Sequence, residues 1–313
     1  MSRVSVPPKL VVGDRVAVVS PASPPDADAV ERGMATLRRW GLRPELGQHA
    51  LDRRGYLAGS DADRLADLDR AWRDPGIRAV FATRGGKGSY RIADRIDVEA
   101  CRRDPKPLVG FSDITVLHLK LARDVRDAGA TGVHGPMVAW DEDVVGADAI
   151  ERLRRAVMTD APVVVPVDPA EPTAALTRGG PVSGTLVGGN QDAIAIAAGW
   201  ALPSLDGAIL LLEAYNLRLG HIDRQLTMLR NAGHLDGLAA VAVGRYTRCG
   251  PEGSEPSEWS HLDVLTEHLD RWGVPVLGGL PIGHGPDPHT VPLGTAVAID
   301  PREGTLVADP AVR

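Results

Sequence analysis

From Arg15 to about Asp160, short apolar runs alternate with amphipathic stretches. A chain that repeats strand, helix and strand in this way is driven toward a mostly parallel sheet covered by helices, because each crossover must bury its apolar stripe on the sheet it has just left. The pattern predicts strands at Val16–Ser20, Ala79–Thr83, Pro107–Gly110 and Thr131–His134. It predicts one helix from Asp26 to Trp40 and another starting at Ser60, where Asp63 three residues on and the apolar Leu65 and Leu68 make a capping box.

At 313 residues the chain exceeds a typical domain of roughly 100–200 residues, so two domains sharing a cleft are expected. The stretch between Thr159 and Pro181 holds five prolines, which stop a helix and favour extended chain. We expect a first domain over residues 1–160, an interdomain connection over 161–181 and a second domain over 182–313. In the second, Gly207–Leu212 and Leu238–Val243 read as buried strands and Ile222–Asn231 and His261–Trp272 as helices. The segments GTAVAID and GTLVADP form a terminal hairpin. The fold class is α/β.

Charge and cysteine usage narrow the function. A net charge of −6 with interleaved signs offers no basic stripe for phosphates, so nucleic acid is not expected as a partner. Cys101 and Cys249 stand far apart, in no metal-type spacing, which suits a reducing compartment. The first residues, MSRVSVPPKL, lack a signal-peptide core. No segment reaches the apolar run of about 18 residues that spans a bilayer. A cytoplasmic protein with no membrane partner is the expectation.

Four segments have the residue types that chemistry needs. In Lys106–Asp113 a buried strand enters Gly110-Phe111-Ser112-Asp113 and then an amphipathic helix. A serine on such a strand-to-helix turn is held out over the sheet edge, beside backbone N–H groups suited to a developing anion. The alternative is that Ser112 or Asp113 caps the helix. In Thr83–Gly88, which lacks the spacing of a phosphate loop, Gly86 is either an oxyanion donor or a turn residue with positive φ. Glu213 ends the strand GAILLLE, where a carboxylate can orient an imidazole, or it pairs with Arg218 or Arg224. His284 lies between two glycines in Gly283–His289 and suits a general base. Asp287 and His289 nearby raise a metal reading, but their spacing matches no zinc motif. His134 and His118 are candidates for substrate contact or packing.

Taken in order, SPAS at Ser20–Ser23, RGGKG at Arg84–Gly88, GFSD at Gly110–Asp113, HGPM at His134–Met137, GGN at Gly188–Asn190, LLLE ending at Glu213, IDRQL at Ile222–Leu226 and LPIGH ending at His284 resemble the LD-carboxypeptidase family. The family includes muramoyltetrapeptide carboxypeptidases and microcin C immunity peptidases. The resemblance implies a nucleophile at Ser112, a relay of Glu213 and His284, and an oxyanion hole of the Gly86 and Asp113 amides. It further implies a Rossmann-like first domain, a second α+β domain with a small β-barrel-like sheet, a homodimer, and neither metal nor cofactor. Lys87, His134 and Asn190 are expected to meet a small peptide or peptide-like substrate.

Three departures from the family pattern, Lys87, Gln191 and the pair Ala214-Tyr215, are expected at the substrate rim. The function expected is hydrolysis of an L-to-D amide near a peptide carboxyl terminus, such as release of D-alanine from a murein tetrapeptide. Cleavage of an aminoacyl-nucleotide antibiotic amide is the alternative within this chemistry, and a non-catalytic two-domain binding protein is the alternative outside it.

Overall fold

The computed structural model describes residues 6–125, 132–139, 145–251 and 258–313. Thr131 and the first five residues, on which two of the expectations touch, lie outside these ranges. The first half runs β1 (Arg15–Val19), α1 (Ala27–Arg39), β2 (Arg43–Leu46), α2 (Asp61–Arg73), β3 (Ile77–Ala82), α3 (Val98–Arg103), β4 (Leu108–Val109), α4 (Thr115–Asp124), β5 (Gly132–His134) and α5 (Ala147–Met158). The second half runs β6 (Val163–Pro166), β7 (Val182–Asn190), α6 (Gln191–Ala197), β8 (Ala208–Tyr215), α7 (Leu219–Asn231), β9 (Ala240–Thr247), α8 (His261–Trp272), β10 (Val276–Leu277), β11 (Val291–Leu293), β12 (Ala296–Asp300) and β13 (Thr305–Ala308).

The first sheet has the order β11-β5-β4-β3-β1-β2, with β1 to β5 all parallel. This is a doubly wound α/β sheet, as the alternating pattern demands, and successive side chains feed two cores. In β3, Val80 and Ala82 join one apolar cluster while Ala79 and Phe81 join the other. The capping box forms as expected: Ser60 Oγ accepts from Asp63 N at 3.1 Å, and the Asp63 carboxylate accepts from Ser60 N at 3.3 Å. Strand β2 escaped the sequence reading because RPEL is a short, mostly exposed edge strand with no apolar run.

The second sheet has the order β10-β9-β8-β7-β12-β13-β6, parallel from β7 to β10 and antiparallel from β7 to β6. Its two edges meet: Asp168 N donates to Gly279 O at 2.8 Å, and Arg178 and Val276 form an isolated antiparallel bridge. The sheet therefore curls back on itself in the barrel-like manner expected.

Chain passes between the two sheets at and after the expected division at 161–181. The 161–181 segment combines the strand β6, which joins the second sheet, with a short 3-10 helix at Pro172–Leu176. In the other direction, β11 leaves the second half and pairs antiparallel with β5 in the first sheet. Ala311 and Val312 are buried in the core beneath the first sheet. Proline spacing reports only that a helix stops. It is silent on which sheet the extended chain joins.

Candidate active site

Parallel sheets collect their functional loops at the carboxyl ends of the strands. Here SPAS follows β1, RGGKG follows β3, GFSD follows β4 and HGPM follows β5, so all four motifs reach the same edge of the first sheet. Asn190 ends β7 and Glu213 lies near the end of β8, while the His284 loop follows β10. The motifs of both halves gather where these edges meet.

Ser112 has φ 61°, a left-handed conformation uncommon outside glycine, at the point where β4 turns through a short 3-10 helix into α4. Neither that turn nor α4 has a side-chain cap. The cap alternative for Ser112 and Asp113 is thereby set aside. The Asp113 carboxylate instead accepts from Ser89 N at 2.8 Å, and Asp113 O accepts from Ser89 Oγ at 2.6 Å. Burial pushes the Asp113 carboxyl up to about 6 against these hydrogen bonds.

The RGGKG loop lies directly over this turn. A Cβ on Gly85 would come within 2.9 Å of Ser112 Cβ and 3.3 Å of Asp113 N. Gly86 has φ 107° and backs onto Ser23, whose hydroxyl a Cβ would overlap, so no side chain fits there. Among the described residues no acceptor meets the backbone N–H of Gly86 or Asp113. Arg64 holds the loop from behind. It is 2% exposed and donates to Gly88 O at 2.9 Å, to Pro21 O, and to Asp61 at 2.6 Å.

Glu213 is fully buried. Its carboxylate accepts from His284 Nδ1 at 2.7 Å and from Asn190 Nδ2 at 2.9 Å. Asn190 is the register partner of Glu213 on the neighbouring strand, and the β8/β9 register shifts at Glu213, a bulge that re-aims the side chain. Burial pushes the Glu213 carboxyl up, but the neighbouring His284, with its hydrogen bond and that of Asn190, outweighs it and holds the carboxyl below its ordinary value. An ionised Glu213 only accepts, so Nδ1 carries the proton and Nε2 is left free to act as a base. The expected arginine pairings are not formed. Arg218 donates to Pro251 O instead.

The His284 loop is clamped on several sides. Gly283 has φ 100°, and a Cβ there would lie 2.5 Å from Glu213 Oε2. Thr247 Oγ1 donates to His284 O, Arg245 donates to Pro286 O at 2.5 Å, and Asp287 pairs with Arg152 of α5. The ring of His284 lies between Phe111, 4.8 Å away, and Tyr215, stacked at 4.6 Å. Phe111 immediately precedes Ser112, so the imidazole packs against the turn that carries the serine. Ser112 Oγ has no hydrogen-bond partner among the described residues. Catalytic hydrogen bonds commonly tighten only once substrate is bound.

Other expected contacts fall differently. His134 is 1% exposed beneath Phe111, with neither ring nitrogen partnered among the described residues, and burial lowers it to about 4. It is a neutral residue behind the site, where substrate has no access in this conformation. Asn190 orients Glu213. Lys87 is exposed. Gln191 is not on the rim: it is fully buried, bonded to Gln225 at 2.9 Å and to Tyr246 at 2.7 Å. His118 is buried and bonded to Leu108 O at 3.0 Å. Among the described residues, His49, Asp52 and Asp63 bring donor atoms within 4.8 Å of one another, but His49 already bonds Asp52 at 2.8 Å and Asp63 is used by the helix cap. Sequence reasoning missed Arg64, Arg245 and Thr247, whose roles depend on burial that no local pattern announces.

The sequence patterns of the LD-carboxypeptidase N-terminal and C-terminal domains match residues 16–135 and 183–299. A carboxypeptidase-like protein of Streptomyces coelicolor is 38% identical over 310 residues, 97% of this chain and 96% of that one. A murein tetrapeptide carboxypeptidase of Pseudomonas aeruginosa is 30% identical over 299 residues, 92% of this chain and 94% of its own. The solved structure of the microcin immunity protein MccF in complex with glutamyl sulfamoyl guanosine superposes with a TM-score of 0.84 at 21% identity, over 98% of this chain and 99% of that one. That likeness is one of fold. With both domain patterns matched in order, and a relative 38% identical along almost the whole length, the chain belongs to the LD-carboxypeptidase family.

Proposed function

We propose that the chain is a serine carboxypeptidase that releases D-alanine from a murein tetrapeptide, acting in the cytoplasm as a homodimer. The observation that carries the reading is the buried Glu213 holding His284 Nδ1 at 2.7 Å, with the left-handed Ser112 turn packed against the same imidazole through Phe111. Ser112 Oγ attacks the carbonyl of the L-to-D amide while His284 Nε2 takes its proton. The tetrahedral oxyanion accepts from the Gly86 and Asp113 amides. Collapse breaks the C–N bond as His284 gives the proton to the leaving amine, and water then hydrolyses the acyl-serine by the same route in reverse. Glu213 stabilises the imidazolium throughout.

The test is mass spectrometry of murein tri-, tetra- and pentapeptides and of aminoacyl-sulfamoyl nucleotides after incubation with the protein. We expect D-alanine from the tetrapeptide. We also expect Ser112→Ala to remain folded with turnover reduced by about three orders of magnitude or more. A variant retaining a tenth of wild-type turnover would remove Ser112 as the nucleophile. Cleavage of the sulfamoyl nucleotides alone would assign the immunity-type reading, and no cleavage of any compound would favour a binding protein.

A further inference from the structure

We propose that Arg248 recognises the free carboxylate at the carboxyl end of the substrate; this rests on the carboxypeptidase reading above and names the residue that makes it one. Arg248 follows β9 and has φ 54°. Such a conformation is unfavourable for an arginine and persists only where the surroundings impose it. Here the backbone is fixed on both sides: Asn216 N donates to Thr247 O at 2.9 Å, Gly250 N to Leu217 O at 3.1 Å and Leu219 N to Gly250 O at 3.0 Å. The strand end that carries Tyr215 therefore also sets the direction of Arg248.

The side chain points to the neighbour of the His284 imidazole. Arg248 Nη1 donates to Tyr215 Oη at 3.0 Å, with its guanidinium carbon 5.7 Å from the Tyr215 ring centre, and the same ring stacks on His284. The cation is one ring away from the general base. Arg73, Arg91, Arg154 and Arg245 all pair with carboxylates, whereas none pairs with Arg248 among the described residues. Among the described residues Tyr215 Oη alone takes a hydrogen bond from its five-donor fork, and that fork matches a carboxylate.

The side of the site decides which carboxylate. His284 hands its proton to the leaving amine, so the leaving residue lies on the His284 side, and its carboxylate is one residue beyond the scissile carbon. Arg248 stands on that side.

Binding is measured apart from turnover, by calorimetry on the Ser112→Ala protein with murein tetrapeptide and with its carboxyl-terminal carboxamide. We expect the acid to bind about tenfold or more tightly than the carboxamide, as a charge-assisted fork contact provides. Arg248→Gln in the same background should bring both ligands to the carboxamide's affinity, and Arg248→Lys should keep part of the preference. Added salt should weaken the acid alone. A parent protein with no preference for the acid, or an Arg248→Gln protein that keeps it, overturns the proposal. An intact, Arg248-dependent preference in a protein whose wild type releases no D-alanine would uphold the anchor and discard the hydrolase reading.

Discussion

Asp113 sits one residue after the proposed nucleophile, and its backbone and side chain face different tasks. The amide is assigned to the oxyanion, while the carboxyl, buried and raised from an ordinary 3.8 to about 6, ties the turn to Ser89. A carboxyl raised on folding favours its proton in the folded state, so stability is greatest below the unfolded value and falls as pH rises from about 4 to about 6. The side-chain amide introduced by Asp113→Asn does not titrate in this range. Urea denaturation of that variant across the same window should show it gaining on wild type up to pH 6 and holding level above it. A difference that does not change with pH would remove burial as the cause. Glu213 behaves oppositely, since its partners hold it ionised. Glu213→Gln keeps the shape but not the charge, so kcat should fall on the order of a thousandfold with KM little changed. A variant altered only in KM would make Glu213 a substrate contact.

At the scale of elements, α2 does more than cover the sheet. Its Arg64 reaches the loops after both β1 and β3 through Pro21 O and Gly88 O. Arg64→Met would strand these buried carbonyls and loosen the loop that carries Gly86. Since an oxyanion donor acts in the transition state, kcat should drop about tenfold to a hundredfold with a smaller change in KM, and Arg64→Lys should restore part of it. Equal losses in kcat and folded fraction, tracked by circular dichroism, would reduce Arg64 to a stability role. Lys106 plays a comparable part at the other end of α2. It is 2% exposed and donates to the carbonyls of Ala71, Trp72 and Asp74 at 2.7–3.0 Å, closing the helix's carboxyl terminus.

At the scale of the molecule, the two sheets exchange chain. Strand β11 crosses into the first sheet, Arg313 and Lys9 pair through Lys9 N and Arg313 O at 2.9 Å, and Asp287 in the His284 loop is held by Arg152 of the first half. The sheet that carries Ser112 and the loop that carries His284 are thus tied together by backbone pairing as well as by packing. The Arg152–Asp287 pair is partly exposed and contributes little stability by itself. Its effect is on where the loop lies.

The strand–helix alternation, the Ser60 capping box, the buried runs of β8 and β9 and the terminal hairpin were legible in the amino-acid order because each depends on neighbours within a few residues. The motifs that end in Ser112, Glu213 and His284 were legible as candidates for the same reason. What tertiary structure alone decided was company: Asn190 beside Glu213 by strand register, Tyr215 against His284 and Arg248 against Tyr215, Gln191 turned inward and His134 sealed beneath Phe111. Register, bulges and burial are settled by pairing between segments far apart in the chain, and no local pattern of residues encodes which distant strand will lie alongside.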